Sequence, residues 1–460
     1  SSTGPTIGLL CEYDALPGLW DETNIQNGHG CGHNLFAAGA IGTAAILREF
    51  IDAENIPATI KIFGTPSEEE YGSKPYFAKQ GFFDGVDFFM GFHPLEFNGI
   101  LYSQHNACTM RDYKFYGKSA HAAAEPELGV SALDAVEVMN VSANYLREHV
   151  TSDVRIHYII TNGGSRANIV PAFASSRYGI RAQELDNLKK VTNQIDTIAR
   201  GIAMAFGCSV EIDEIETYAN TILNRPLAEL AYANMQYIGP PRFTAEEQYE
   251  VKALGLECGL SEDLEPLREH PGVYAASTDE GDVSWQGPWI RICMSCLAKN
   301  TPGHSFYVTK QANMASAYRG MLQTVKVCVA TIVDLLTNPS AIEKTKIAYR
   351  ENMQDRLYDR SKNTNPDPSI FPDMVGAEVI KPNIIRIHGE EAIILPKSES
   401  SILYAYINGE KVGNCVIGPT SDKADIVLNN DLKSGDVVIL KYYDSKTQQE
   451  ILLGYIQHGI

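Results

Sequence analysis

The sequence predicts an α/β protein in three parts: a mixed sheet covered by helices, an inserted β-α-β-β-α-β unit, and a C-terminal all-β, sandwich-like region. Three observations predict it. Apolar strands alternate with helical segments through residues 1–107, the pattern of a sheet shielded by helices. Residues 108–220 then read strand, helix, strand, strand, helix, strand. Past a Pro- and Asn-rich stretch, residues 376–460 read strand after strand.

The first part opens with a strand at Thr6 to Cys11, a helix at Asn34 to Phe50, and a strand at Ala58 to Phe63. Lys74 to Gln80 reads as a helix, with Pro75 in its first turn and Gly81 past its end. Asp87 to Phe92 is the next strand. The inserted unit has strands at Met110–Tyr116, Val154–Thr161, Ala174–Ala182 and Ser209–Glu216, and helices at Val130–His149 and Leu185–Phe206. Helix and strand alternation resumes over 221–360 and ends in two long helices, the first at Gln311 to Leu336. Residues 361–375 have a linker's composition. Beyond them about seven short strands are expected, with turns at Asn408-Gly409 and Ser434-Gly435.

Bulk composition narrows the partners. A net charge of −19 argues against nucleic acid, because a phosphate backbone would be repelled. No stretch approaches the ~18–20 uninterrupted apolar residues of a membrane span. Nine cysteines, odd in number and scattered, form no disulfide framework and fit a reducing compartment. No leader is visible before the first strand, and a cytoplasmic protein is expected. Cys293 and Cys296 form a lone C-x-x-C inside an apolar run and read as core.

Chemistry concentrates in a few short segments. His29, Cys31 and His33 alternate with glycines just before a helix. Glycine lets the backbone turn sharply, and the helix N-terminus favours a thiolate, so the cluster suits a zinc-like ion. The same residues could serve as a thiol nucleophile and its base, or as a plain glycine turn. Glu68 and Glu69 follow a strand, where one could bind metal and its neighbour hold water. Alternatively they begin an acidic helix with Ser67 as its N-cap. His93 ends a strand and His304 lies in a turn before the last long helices. Asp14 is either a partner for a metal-bound imidazole or an ordinary turn carboxylate. Asp279, Glu280 and Asp282 read best as a solvated acidic loop. His121 and Asn168 are ambiguous by themselves, and His105 shows no constellation.

Taken together, eight motifs occur in one order: EYDALPGL (12–19), HGCGHNL (29–35), TPSEE (65–69), GFHP (91–94), SAHA (119–122), RANIVP (166–171), GDVSW (281–285) and TPGHS (301–305). In that order the chain resembles the amidohydrolase branch of the aminoacylase and carboxypeptidase metallopeptidases (the peptidase M20 type), which includes p-aminobenzoyl-glutamate hydrolases and dipeptidases. The resemblance spans about residues 6 to 357. It implies a zinc-exopeptidase-like catalytic domain and two divalent metal ions, Zn or Mn, held by Cys31, His33, Glu69, His93 and His304. It implies Glu68 as general base and Asp14 beside the metals. It also implies a homodimer formed through the inserted unit, with His121 reaching the neighbouring subunit's site. Asn168 would contact the substrate, an N-acyl amino acid or dipeptide. On the strand after Asn168, Arg177 or Arg181 either grips the substrate's carboxylate or forms a structural ion pair. Two departures stand out. Glu70 replaces a small residue usual in the family, and the third region has no counterpart there.

Overall fold

The computed structural model describes residues 4–19, 27–69, 71–254, 256, 258–354, 356, 358–359, seven strands between 377 and 457, and residue 429. Glu70, the linker and the turns at Asn408-Gly409 and Ser434-Gly435 lie outside the described residues. The chain divides into two units, Ser1–Thr364 and Asn365–Ile460.

In the first unit, β1 (Thr6–Glu12) leads through a long loop to α1 (His33–Glu54). Then come β2 (Thr59–Thr65), α2 (Ser73–Lys79), β3 (Phe88–Leu95), β4 (Gly99–Ile100) and β5 (Ser103–His105). The inserted unit contains β6 (Ala107–Tyr116), α3 (Ala132–Leu146), β7 (Arg155–Asn162), β8 (Phe173–Ala182), α4 (Leu185–Phe206) and β9 (Ser209–Tyr218). The chain returns through α5 (Arg225–Ile238), α6 (Ala245–Ala253), β10 (Gly272–Tyr274), α7 (Glu280–Ser284) and β11 (Trp289–Ser295). It closes with α8 (Phe306–Gln311), α9 (Ala315–Thr337) and α10 (Pro339–Met353). The helix expected over Gln311 to Leu336 is α9, which starts four residues later at Ala315, while Gln311 ends the separate α8.

The main sheet has the order β2-β1-β3-β11-β4, parallel except for the last pair. Strands β1, β3 and β11 are buried along almost their whole length, as parallel strands covered on both faces must be. Their core includes Leu10, Phe36, Phe88, Phe89, Trp289 and Ile292. Burying each such side chain contributes roughly 1.5–3 kcal/mol. Helices α1 and α9 are long and apolar enough to cross a bilayer by length and composition, although uninterrupted apolar runs predicted no such segment. In the fold they pack on each other and on the sheet, burying Leu35, Phe36 and Leu47 from α1 and Val327, Ile332 and Leu335 from α9.

The inserted unit is an antiparallel sheet of order β7-β8-β6-β9 with α3 and α4 packed on it. It has a core of its own around Tyr113, Phe115, Met139 and Tyr178. Leu188, Val191, Ile195 and Ala199 recur at helical spacing along α4 and supply its buried face. Ser131 caps α3, its hydroxyl accepting from the Asp134 N–H at 3.1 Å.

The second unit contains β12 (Ala377–Lys381), β13 (Ile384–His388), β14 (Ser401–Ile407), β15 (Glu410–Ile417), β16 (Lys423–Leu428), β17 (Val437–Asp444) and β18 (Gln449–Gln457). All seven join in one antiparallel sheet of order β12-β13-β16-β15-β14-β17-β18.

Candidate active site

The chemistry-bearing residues gather where parallel strands of the main sheet end. Glu12 is the last residue of β1, Thr65 ends β2 ahead of Glu68 and Glu69, and His93 lies near the end of β3. This is the crevice in which open α/β sheets take ligands.

Local backbone geometry turns these side chains inward. Gly32 has φ +76 and forms the left-handed N-cap of α1. A Cβ there would lie 2.7 Å from the Pro94 ring. The reversal lets Cys31 and His33, on either side of Gly32, enter one donor cluster. Ser67 has φ 58, and its carbonyl accepts from the Gly72 N–H at 2.7 Å, so the chain folds back on itself here. The acidic helix start is therefore ruled out, since α2 begins at Ser73 behind a Gly72 N-cap. His304 also sits at positive φ, 49°, a strained conformation of the kind that gathers at functional sites.

Three donor groups result, each with ligand atoms within 4.8 Å of one another: Cys31, His33 and His93; Cys31, Glu69 and His304; and Glu12, His33 and Glu68. Cys31 Sγ lies 3.5 Å from His93 Nε2, and His304 Nε2 lies 3.1 Å from Glu69 Oε2. His33 Nε2 and Glu69 Oε1 are buried without a hydrogen bond and lie 3.9 Å apart, with Glu12 Oε2, also without one, 3.3 Å from the same nitrogen. Unpaired polar atoms cost about 1–3 kcal/mol each when buried, so such a facing pair fits a cation between them. Both inner histidines are oriented from behind. His33 Nδ1 donates to Asp14 Oδ1 at 2.9 Å, and His93 Nδ1 donates to the Pro94 carbonyl at 3.0 Å. His29 does not join the cluster, because its Nδ1 donates to the Asp14 carbonyl at 3.0 Å.

Beneath the donors lies a buried charge network that the sequence reading missed. Asp279, Glu280 and Asp282 do not form a solvated loop but are almost completely buried. Lys74, also fully buried, sits 2.8 Å from Glu12 Oε1 and pairs with Asp279. Arg291 pairs with Glu280 at 2.7 Å and donates to Thr278 Oγ1, which in turn donates to Glu68 Oε1 at 2.8 Å. Burial would raise Glu12, but the Lys74 and His33 charges overrule it and hold this carboxyl below its ordinary value. Burial, reinforced by Glu12, pushes Glu68 up to about 7. Burial likewise carries Glu280 to about 7 and Asp279 to about 8. Four carboxyl groups thus surround two buried cations, and the raised values of three of them express that excess of acid over base. A signal for Arg291 was present in the sequence, a lone charge inside the apolar run from Trp289 to Leu297.

A cavity of about 470 Å³ opens over these groups, lined by Cys31, Glu68, Glu69, His93 and His304. Apolar walls come from Leu95, Phe97, Leu101 and Val308. Arg181 reaches its edge by donating to the hydroxyl of Ser277, a lining residue, at 2.7 Å. Arg177 is occupied elsewhere, gripping both oxygens of Asp112 at 2.7 and 2.8 Å. His121 and Asn168 stand together on exposed loops of the inserted unit, where the Ala122 N–H donates to the Asn168 carbonyl at 3.1 Å. Neither lines this cavity. Cys293 and Cys296 are buried free thiols, pushed up by burial and outside every donor group among the described residues.

Comparison with known proteins agrees with this geometry. Residues 8–256 match peptidase family M20/M25/M40. The chain is 32% identical over 406 residues to one of the polypeptides of the p-aminobenzoyl-glutamate hydrolase of Escherichia coli strain K12, a match covering 79% of this chain and 84% of that protein. It is 32% identical over 368 residues to the Xaa-Arg dipeptidase of Mus musculus, covering 77% and 76%. The crystal structure of an aminohydrolase from methicillin-resistant Staphylococcus aureus shares the fold, with TM-score 0.53 and 15% identity over 72% of this chain and 82% of that one. The chain belongs to peptidase family M20/M25/M40 and is a hydrolase of amide bonds.

Proposed function

We propose that the protein hydrolyses the amide bond of an N-acyl amino acid or dipeptide in a metal-dependent reaction, with p-aminobenzoyl-glutamate as the first substrate to try. Cys31, His33, Glu69, His93 and His304 would hold two divalent cations, zinc or manganese. The observation that carries this reading is the set of buried atoms without hydrogen bonds, His33 Nε2, Glu12 Oε2 and Glu69 Oε1, converging inside the donor cluster. The bound cations would supply Lewis-acid polarisation of the amide carbonyl and a more acidic water.

The chain's own residues do the rest. Glu68 takes a proton from the attacking water and delivers it to the leaving nitrogen, a task suited to a carboxyl raised toward neutrality. Thr278 holds its Oε1. Arg181 attracts the substrate carboxylate, with Asn168 as a further contact. The protein acts as a homodimer through the inserted unit, and His121 from a second copy stabilises the oxyanion. The exposed outer strand β7, with Ile159 and Ile160 uncovered, supports pairing of this kind.

Elemental analysis of the dialysed protein tests the metal reading. About two equivalents per chain are expected, with a clear fall in a Cys31→Ala, His304→Ala control. Only trace metal after loading with zinc or manganese would sink it. The Cys31–His93 contact also suits a thiol nucleophile, and the two chemistries part cleanly. A chelator stops the metalloenzyme and leaves a thiol enzyme running.

A further inference from the structure

His105 is the histidine with the least to do and the best position. It lines the active-site cavity, yet its side chain is only 2% exposed. Neither ring nitrogen has a hydrogen-bond partner among the described residues, and Nδ1 is wholly shut off from solvent. Its backbone is clamped, the His105 N–H donating to Thr221 Oγ1 at 2.8 Å and the His105 carbonyl accepting from the Thr221 N–H at 3.3 Å. The ring is steadied by Tyr274, its partner across the β5–β10 pair, in edge contact at 5.1 Å. A fixed imidazole with idle nitrogens on a cavity wall is built to meet a ligand.

The surroundings specify the ligand's charge. Arg181 bonds the Ser277 hydroxyl on the same stretch of wall and forms no ion pair among the described residues. Arg177, four residues earlier on β8, is neutralised by Asp112. Burial, with Arg291 and His93 nearby, holds His105 well below its ordinary value, so it stays neutral and carries one donor proton. One free donor beside one unbalanced guanidinium calls for an anionic acceptor.

We propose that the wall formed by His105, Tyr274 and Ser277, backed by Arg181, is a carboxylate subsite in which His105 donates a hydrogen bond to the substrate's carboxylate. This rests on the N-acyl amino acid reading and names the group by which that site recognises its substrate.

The test uses the full chain and two ligands that differ only in the carboxylate, N-benzoyl-L-alanine and N-ethylbenzamide. Binding is measured by calorimetry in chelator, where no turnover occurs, and KM and kcat are measured after zinc or manganese loading. The wild type should prefer N-benzoyl-L-alanine by about ten-fold or more, the scale of a hydrogen bond to a charged group. His105→Phe should cut that preference by on the order of ten-fold, leaving N-ethylbenzamide affinity and kcat nearly unchanged. His105→Gln, which keeps an N–H donor, should restore most of it. The proposal is overturned if the wild type does not discriminate, if it binds neither ligand, or if His105→Phe weakens both equally. Discrimination without any hydrolysis by the loaded wild type would count against the metal-dependent N-acyl amino acid reading while upholding the subsite.

Discussion

Asp14 Oδ1 accepts from His33 Nδ1 at 2.9 Å, while Asp14 Oδ2 accepts from the Glu69 N–H at 3.1 Å. One carboxylate therefore aims an imidazole from α1 and fixes the backbone of a glutamate that follows β2. Asp14→Asn would place an amide where an acceptor is needed. The variant should bind zinc or manganese 10–100-fold more weakly, measured by competition with a chromogenic chelator. Unchanged affinity would show that Asp14 is an ordinary turn carboxylate.

Glu68 lies among the donors but is held by Thr278, outside the five residues assigned to the cations. Glu68→Ala should keep its metal, checked by elemental analysis, and lose roughly 10²–10⁴-fold in kcat, the usual span for general acid–base work. Near-normal turnover would remove Glu68 from the mechanism.

His121 does not line the cavity of its own chain. If it serves a neighbour, Glu68→Ala and His121→Ala should each be inactive alone and regain activity on mixing. Each mixed dimer then holds one site with both residues intact. Equilibrated mixtures that stay dead would deny His121 a role in the neighbour's site, and a His121→Ala variant active by itself would place it outside the reaction.

The two candidate arginines separate by their partners. Arg177 is spent on Asp112, and Arg181 is not in an ion pair among the described residues. Arg181→Ala should raise KM for carboxylate-bearing substrates by about ten-fold or more. Arg177→Ala should leave KM nearly untouched. Steady-state kinetics on both variants decides the assignment, and the reverse ranking would overturn it.

Lys74 is buried between Glu12 and Asp279. Lys74→Met strands two carboxylates in the interior and should cost about 3–5 kcal/mol of stability. Adding Asp279→Asn should return part of that loss. Urea unfolding of the metal-free proteins gives both numbers, and a cost below ~1 kcal/mol would mean that the network relaxes or admits water.

Much of this was legible because it is local. The alternation of strands and helices marked the main sheet, and His33 stands two residues from Cys31, so spacing alone drew attention to them. His93 and His304 needed the ordered motifs, since nothing near either one in sequence marks a ligand. The charge network was not legible, because Lys74 and Asp279 lie 205 residues apart, and Arg291, 11 residues past Glu280 on another element, meets it only through the fold. A carboxylate run reads as solvated until its partners are known. His105 was passed over for the same reason, since its setting is made by β5 pairing with β10 across a long stretch of chain.

The Lys74 arrangement also constrains descent. Residues 12, 74 and 279 come from three separate stretches of sequence yet form one electrostatic unit. Replacing Lys74 alone leaves two interior carboxylates without their cation, so a lineage can lose the lysine only by replacing a carboxylate with it. Among relatives the lysine should be lost only where position 12 or 279 has also lost its carboxylate, a mark of shared history that their distance along the chain would otherwise hide.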